Sequence, residues 1–237
     1  MGRATRLARY VTPLEKAYTT TARFGFVSDT LDAEGEAVPV DGPIPDADAI
    51  RQKLPEFTGR IHQVPPMASA VKVGGRRLYE LHRRGLEVER EPRPVDIHAF
   101  DLLSADPEVG TATFEISCSS GTYVRTLISD LARSLGSGAY LTALRRTRVG
   151  HLHVRDASHP EELDDQTIDN RIIQPKDVLR GLPAVEVTEV RAAVCNGRKM
   201  RPFGVEGSYR VMSGDELLAV YRDEGHEARA EVVLCAP

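Results

Sequence analysis

The 237 residues are 41% hydrophobic and 28% charged, an ordinary globular composition, long enough for one large domain or a medium domain plus a small one. No apolar run reaches the length of a membrane helix, and the N-terminal MGRATRLARYV has basic residues without the apolar stretch of a secretory signal. Cys118, Cys195 and Cys235 are odd in number and widely spaced. They suggest neither a disulfide framework nor a zinc pattern, and the expectation is reduced thiols in a cytoplasmic protein.

A net charge of −4 conceals an alternation along the chain. Residues 1–27 carry five Lys or Arg against one acid, residues 60–93 eight against four, and residues 121–155 six against one. The stretches between them are acidic. A polyanion responds to the field at a groove rather than to the total, so three basic blocks are compatible with nucleic-acid binding. Alternating blocks that serve only as solvated faces would look the same.

In chain order, residues 3–11 read as the tail of a helix with Leu7, Tyr10 and Val11 on one side. Residues 16–27 alternate as a strand, with Tyr18, Thr20, Ala22, Phe24 and Phe26 on one face. Ser28 to Asp48 is an acidic loop rich in Pro and Gly. Ala49 to Phe57 fits a short helix capped by Asp46 or Asp48. Pro65-Pro66 forbids regular helix in 59–71, Gly74-Gly75 predicts a hairpin turn, and Leu78 to Arg84 predicts a short helix closed by Gly85. Strands are predicted over 94–103 and 111–118. A clear helix covers 123–135, with Leu127, Ile128, Leu131 and Leu135 as its stripe and Gly136 as its stop. Val149 to Arg155 reads as a further strand, Ser158 to about Pro183 as a linker, and the remainder as short strands with turns at Asn196-Gly197 and Gly214-Asp215. Strands and helices mix without a βαβ rhythm, which predicts an α+β fold.

Three segments carry the chemistry. In Gln63-Val64-Pro65-Pro66-Met67 through Glu80, the diproline stiffens an extended loop, and Lys72, Arg76 and Arg77 offer contacts to RNA phosphates. In Cys118-Ser119-Ser120-Gly121-Thr122-Tyr123-Val124-Arg125-Thr126, a strand gives way to a helix, a common position for site residues. Gly138 to Gly150 holds Arg145, Arg146 and Arg148, suited to phosphate or carboxylate, or to a solvated helix end. His151 and His153 share a strand face with no third ligand near, so no metal site is expected. Cys118 alternates with Phe114 and Ile116 and reads as core rather than nucleophile.

Taken together these segments resemble the TruB family of tRNA pseudouridine synthases. Q-V-P-P-M-x-S-A-V-K-V-x-G-x-R-L-Y-E is similar to the family's RNA-gripping thumb, and C-S-x-G-T-Y-V-R-T-L to its active-site strand and helix. G-x-G-A-x-L-x-x-L-R-R-T-x-V-G, from Gly136 to Gly150, matches the segment that follows. Lys16-Ala17-Tyr18 and Ser28 to Glu36 match upstream blocks in the same order. The resemblance implies a mixed, mostly antiparallel sheet flanked by helices over 1–157 with a thumb at about 60–85. It further implies a linker over 158–182 and a small PUA-like β domain over 183–237. It also implies isomerisation of a T-loop uridine of tRNA, U55, to pseudouridine by a monomer, without metal or organic cofactor and without a membrane. An aspartate attacks the nucleotide, the glycosidic bond breaks, and the flipped base rejoins through carbon. By position Tyr18 stacks on that base, Tyr123 and Leu144 line the uracil pocket, and Arg125 pairs with the aspartate and keeps it ionised. Lys72, Arg76, Arg77, Arg145 and Arg146 meet the RNA backbone.

The family's aspartate lies in an L-D-P-x-A-T-G-type motif upstream of the Gly2 to Arg6 block, and no such motif occurs in these 237 residues. Asp29 and Asp32 fall in a block whose family counterpart is not the nucleophile. The expectation is a sequence lacking an N-terminal segment, inactive as it stands, with an unpaired sheet edge. The alternative is a tRNA-binding protein or folding chaperone that performs no chemistry.

Overall fold

The computed structural model describes residues 2–236. A 3-10 turn over Gly2–Leu7 runs into one α-helical turn, α1 (Ala8–Val11). The contacts of these residues group the chain up to Pro13 with the residues from Asp156 onward, and Leu14–Arg155 forms the other compact unit.

In the Leu14–Arg155 unit, the predicted alternation becomes β1 (Lys16–Phe24), broken at Gly25 before the short β2 (Phe26–Ser28), which pairs with β3 (Ala37–Pro39). Helix α2 (Ala47–Lys53) tightens into a 3-10 turn over Leu54–Phe57 and leads to β4 (Gly59–Gln63). The hairpin β5 (Lys72–Val73) and β6 (Arg76–Arg77) turns at Gly74 and Gly75, whose φ values of 56° and 82° suit glycine and disfavour side chains. Then come α3 (Leu78–His82), β7 (Arg93–Asp106), β8 (Thr111–Cys118), α4 (Val124–Ser134), β9 (Ala139–Val149) and β10 (Leu152–His153). Six strands form one antiparallel sheet in the order β10-β9-β1-β8-β7-β4.

The stripe of α4 explains the layering. Leu127, Ile128 and Leu131 are fully buried against Ala22 and Phe24 of β1 and Phe114, Ile116 and Cys118 of β8, with Ile50 and Leu54 closing the same core. The residues before the thumb hairpin and the helix after it build a smaller core of Met67, Leu78 and Leu81. Asp46 caps α2, its Oδ1 accepting from Ala49 N–H at 2.8 Å. Asp46→Ala is expected to lower the stability of this unit by about 1 kcal/mol, readable as a shift in denaturant midpoint.

The region after α4 departs from the sequence reading. Residues 139–149 form a long strand rather than a helix end, and only Leu152–His153 of the expected 149–155 strand pairs. Residues 142–146 of β9 are exposed on both faces, which removes the alternation that would have marked a strand.

The other unit contains α5 (Ile168–Arg171), α6 (Pro175–Val178), β11 (Ala184–Glu186), α7 (Arg191–Cys195), β12 (Ser208–Ser213), β13 (Glu216–Glu224) and β14 (Glu227–Val233). Its sheet runs β11-β12-β13-β14, the first pair parallel and the others antiparallel. Gly214-Asp215 makes the expected β12–β13 turn, whereas Asn196-Gly197 ends α7. The first residues of the chain belong to this unit. Leu7 packs with Leu179, Leu217 and Val232, Tyr10 donates to Glu231 at 2.9 Å, and Arg3 donates to the Cys235 carbonyl at 2.6 Å.

The expectation for the cysteines needs correcting. Cys195 and Cys235 form a disulfide, with Cα atoms 5.4 Å apart across 40 residues of sequence, and Cys118 alone is free and buried. Both partners lie in one apolar cluster with Val194, Tyr209 and Tyr221. The fold, and not sequence spacing, brings them together.

Candidate active site

The β1–β9 register sets Tyr18 opposite Arg146 and Thr20 opposite Leu144. On its other side β1 sets Lys16 opposite Cys118 and Tyr18 opposite Ile116. Directly paired residues share a face, so Tyr18, Leu144 and Arg146 lie on the side of the sheet that α4 covers. Helix α4 starts just after β8 ends at Cys118, so Tyr123 and Arg125 stand at the Lys16–Tyr18 end of β1. Arg145, opposite Thr19, belongs to the other face.

Burial shapes the protonation of this corner. Tyr18 is half-buried, and desolvation pushes its phenol above the ordinary range, opposed in part by a hydrogen bond from Arg146. Desolvation raises the Cys118 thiol and lowers the Lys16 ammonium, whose Nζ donates to the Leu14 carbonyl at 2.5 Å. A thiol held protonated is a poor nucleophile, in keeping with Cys118 as core. Leu144 is 46% exposed, in the stretch of β9 that is open on both faces, although it shares the side of the sheet on which α4 packs.

Arg125 has the most complete set of contacts. Its Nη1 donates to Asp32 Oδ2 at 2.7 Å and to the Thr30 carbonyl at 3.0 Å, and its Nη2 donates to the Ala68 carbonyl at 2.8 Å. One guanidinium thus ties the start of α4 to the 28–36 loop and to the base of the thumb. The fork of Arg suits this role, whereas a Lys would offer three donors from one point. Asp32 is held in turn, its Oδ1 accepting from Thr30 Oγ1 at 2.7 Å and from Glu34 N–H at 3.1 Å.

The loop carrying Asp32 is tightly folded. Leu31 adopts φ of 63°, an uncommon conformation for a leucine, and its carbonyl accepts from Leu141 N–H of β9 at 3.0 Å. Gly35 leaves no room for a side chain, since a Cβ there would lie 2.1 Å from Asp29 Oδ1 and 2.4 Å from Ser28 Oγ. His82 of α3 reaches Asp29 at 3.4 Å, a second tie between thumb and loop.

Lys72, Arg76 and Arg77 are all exposed on the thumb hairpin. Arg77 donates to Tyr79 Oη at 3.1 Å, and the guanidinium groups of Arg77 and Arg83 lie 5.8 and 5.5 Å from the Tyr79 ring centroid. Among the described residues no group of three or more His, Cys, Asp or Glu side chains is placed to hold a metal ion.

Two contacts were not visible in the sequence reading. Asp32 is the carboxylate paired with Arg125, although the resemblance assigned that position to an aspartate of another segment. Gln63 binds the backbone of Tyr123 from 60 residues away. For Asp32 the sequence holds a signal, since it lies in the Ser28 to Glu36 block that carries the family resemblance. Its pairing with a residue 93 positions later leaves none.

An antiparallel sheet backed by a helix whose first turn carries Tyr and Arg, beside a basic hairpin, is matched by sequence to a class of RNA-modifying isomerases, the pseudouridylate synthases. The family model described as TruB family pseudouridylate synthase, N-terminal domain, matches residues 1–124. That of the tRNA pseudouridylate synthase B C-terminal domain matches residues 125–182. The chain belongs to the TruB family of pseudouridine synthases.

Among its relatives, the tRNA pseudouridine synthase B of Aromatoleum aromaticum is 40% identical over 231 residues, 95% of this chain and 74% of that protein. That of Mycobacterium tuberculosis is 38% identical over 98% of this chain and 79% of the relative. The Symbiobacterium thermophilum protein is 46% identical over 81% of this chain and 64% of the relative. In fold the chain is similar to one in the crystal structure of a Cbf5-Nop10-Gar1 complex, with a TM-score of 0.67 at 20% identity, covering 98% of this chain and 69% of the other. A chain from an H/ACA RNP bound to a substrate RNA containing 2'-deoxyuridine gives the same TM-score at 19% identity, covering 98% of this chain and 70% of the other.

Proposed function

We propose that these residues form the RNA-gripping and base-positioning part of an enzyme that converts the T-loop uridine of tRNA, U55, to pseudouridine. In this reading Tyr18 stacks on the flipped base, Tyr123 and Leu144 line the uracil, and Arg125 orients the reacting carboxylate. Lys72, Arg76, Arg77, Arg145 and Arg146 meet the phosphates of the T-arm.

The observation that carries the reading is the anchoring of Arg125. A guanidinium has five N–H donors, and the contacts to Asp32, Thr30 and Ala68 use three. A cation already fixed in place can hold a second carboxylate without further loss of side-chain freedom. The 237 residues contain no L-D-P-x-A-T-G-type segment. On this reading they bind and orient the RNA, and bond breaking requires a carboxylate supplied from outside them. A second reading is a tRNA binder or folding chaperone without chemistry. Both readings place the protein in the cytoplasm, acting as a monomer. Among the described residues no helix is long and apolar enough to cross a membrane.

Binding of tRNA and of an isolated T-arm stem–loop, titrated against salt, tests the shared part. A pseudouridine assay on the chain joined to a segment bearing the aspartate motif separates the two readings. Formation at U55 supports the enzyme, and tight binding without product supports the chaperone. Arg76→Ala with Arg77→Ala is expected to weaken binding roughly tenfold near 0.1 M salt and to flatten the slope of log K against log salt by about 1.5. An unchanged slope would remove the hairpin from the phosphate contacts.

A further inference from the structure

Gln63, the last residue of β4, is 2% exposed, and its side-chain amide is committed to a single distant residue. Its Oε1 accepts from Tyr123 N–H at 3.0 Å and its Nε2 donates to the Tyr123 carbonyl at 3.3 Å. A neighbouring strand would satisfy a residue in the same reciprocal way, and here a side chain does so.

Tyr123 is where such support has most effect. It is the N-cap of α4, extended at φ −99° and ψ 100°, with no side chain capping the helix. It follows the turn at Gly121, where φ is 90°. Without Gln63 its N–H would lose its partner, and the direction in which the chain enters α4 would rest on the Leu127 N–H bond to its carbonyl. Gln63 also precedes Val64-Pro65-Pro66, the stiff root of the thumb.

We propose that Gln63 is a positioning residue for the base site. By holding both backbone groups of Tyr123 it fixes the Tyr123 ring and, two residues on, the root of Arg125, so the thumb root and the uracil pocket share one anchor. The inference rests on the functional reading above for its link to RNA, while the clamp itself can be tested without RNA. The chemistry is specific to glutamine. Asparagine is one methylene shorter, methionine fills the space without polar atoms, and ionised glutamate keeps the acceptor but loses the donor.

The test uses the full chain with Gln63→Met and Gln63→Glu, amide hydrogen exchange at Tyr123, and a T-arm stem–loop carrying 2-aminopurine in place of the target uridine. For Gln63→Met, exchange at Tyr123 should quicken by about 30-fold. Affinity for the stem–loop should stay within about threefold, because the phosphate contacts lie elsewhere, while stacking of the reporter base should fall by at least about half. Gln63→Glu should show the same defects at pH 8 and recover as the pH is lowered until the carboxyl, which burial at this site raises above the ordinary carboxylate range, is protonated and again offers a donor and an acceptor.

Reporter stacking and Tyr123 exchange equal to the parent in a folded Gln63→Met protein would overturn the proposal. Affinity and stacking falling in parallel would do so too, since that marks a general loss of structure. If Gln63→Met does not fold, the pH recovery of Gln63→Glu decides, and defects independent of pH reject the clamp. If the parent chain does not bind the stem–loop, the functional reading falls, and exchange at Tyr123 still accepts or rejects the role of Gln63.

Discussion

Arg125→Ala is expected to reduce pseudouridine formation by at least about 10²–10³-fold in any form of the protein that carries the aspartate motif, with tRNA affinity changing by less than about tenfold. Loss of the guanidinium removes three contacts at once, to Asp32, Thr30 and Ala68. The Asp32 side chain is only 23% exposed and would be left with its charge uncompensated by a cation. Breaking a fully buried pair costs about 3–5 kcal/mol. With about a fifth of each side chain exposed, a loss of about 2 kcal/mol of stability is the more suitable expectation. Arg125→Lys should keep part of the stability, since an ammonium can face Asp32, but it cannot span both carbonyls and so should recover little turnover. Single-turnover assays with thermal melts separate the two effects. Near-normal turnover in a folded Arg125→Ala protein would remove this residue from the mechanism.

Reduction of the Cys195–Cys235 bond is expected to have the largest effect on stability. The bond closes a loop of 40 residues, for which the chain-entropy account gives a loss of about 4 kcal/mol on reduction. In a unit of this size that corresponds to a fall in melting temperature of about 15 °C or more. Thermal melts with and without a reductant would show it, and Cys195→Ala should melt like the reduced protein. Thiol titration in denaturant gives an independent check, with Cys118 alone reacting before reduction and all three cysteines after it. Three reactive thiols before reduction would refute the crosslink. Protein purified in air should therefore be more stable than protein held under a reductant strong enough to open the bond.

The legibility of this fold in the sequence followed the strength of local patterns. Helix α4 was readable because Leu127, Ile128 and Leu131 repeat at helical spacing and Gly136 stops the chain. Strands β1 and β8 alternate cleanly because one side of each faces α4. Strand β9 was not readable, because Arg145 and Arg146 follow Leu144 on a segment exposed on both faces. At the site, the motifs marked Tyr18, Tyr123, Arg125 and Leu144 as important, and the β1–β9 register puts Tyr18 and Leu144 on one face. The partners of those residues were not legible. Asp32 and Gln63 reach their targets across 93 and 60 residues, and side-chain bonds over such distances leave no periodic trace. The disulfide was hidden for the same reason.

The grouping of residues before Pro13 with those after Asp156 has a consequence for biosynthesis. Leu14–Arg155 is a continuous stretch and can fold once it has cleared the ribosome. The other unit draws on both termini, and Arg3 meets its acceptor only when Cys235 exists. At about 5–20 residues per second of synthesis, residues 2–13 therefore wait roughly tens of seconds for their partners. Leu7 and Tyr10, which lie among the strands β12–β14 in the finished protein, stay exposed to the surroundings of the nascent chain throughout that interval.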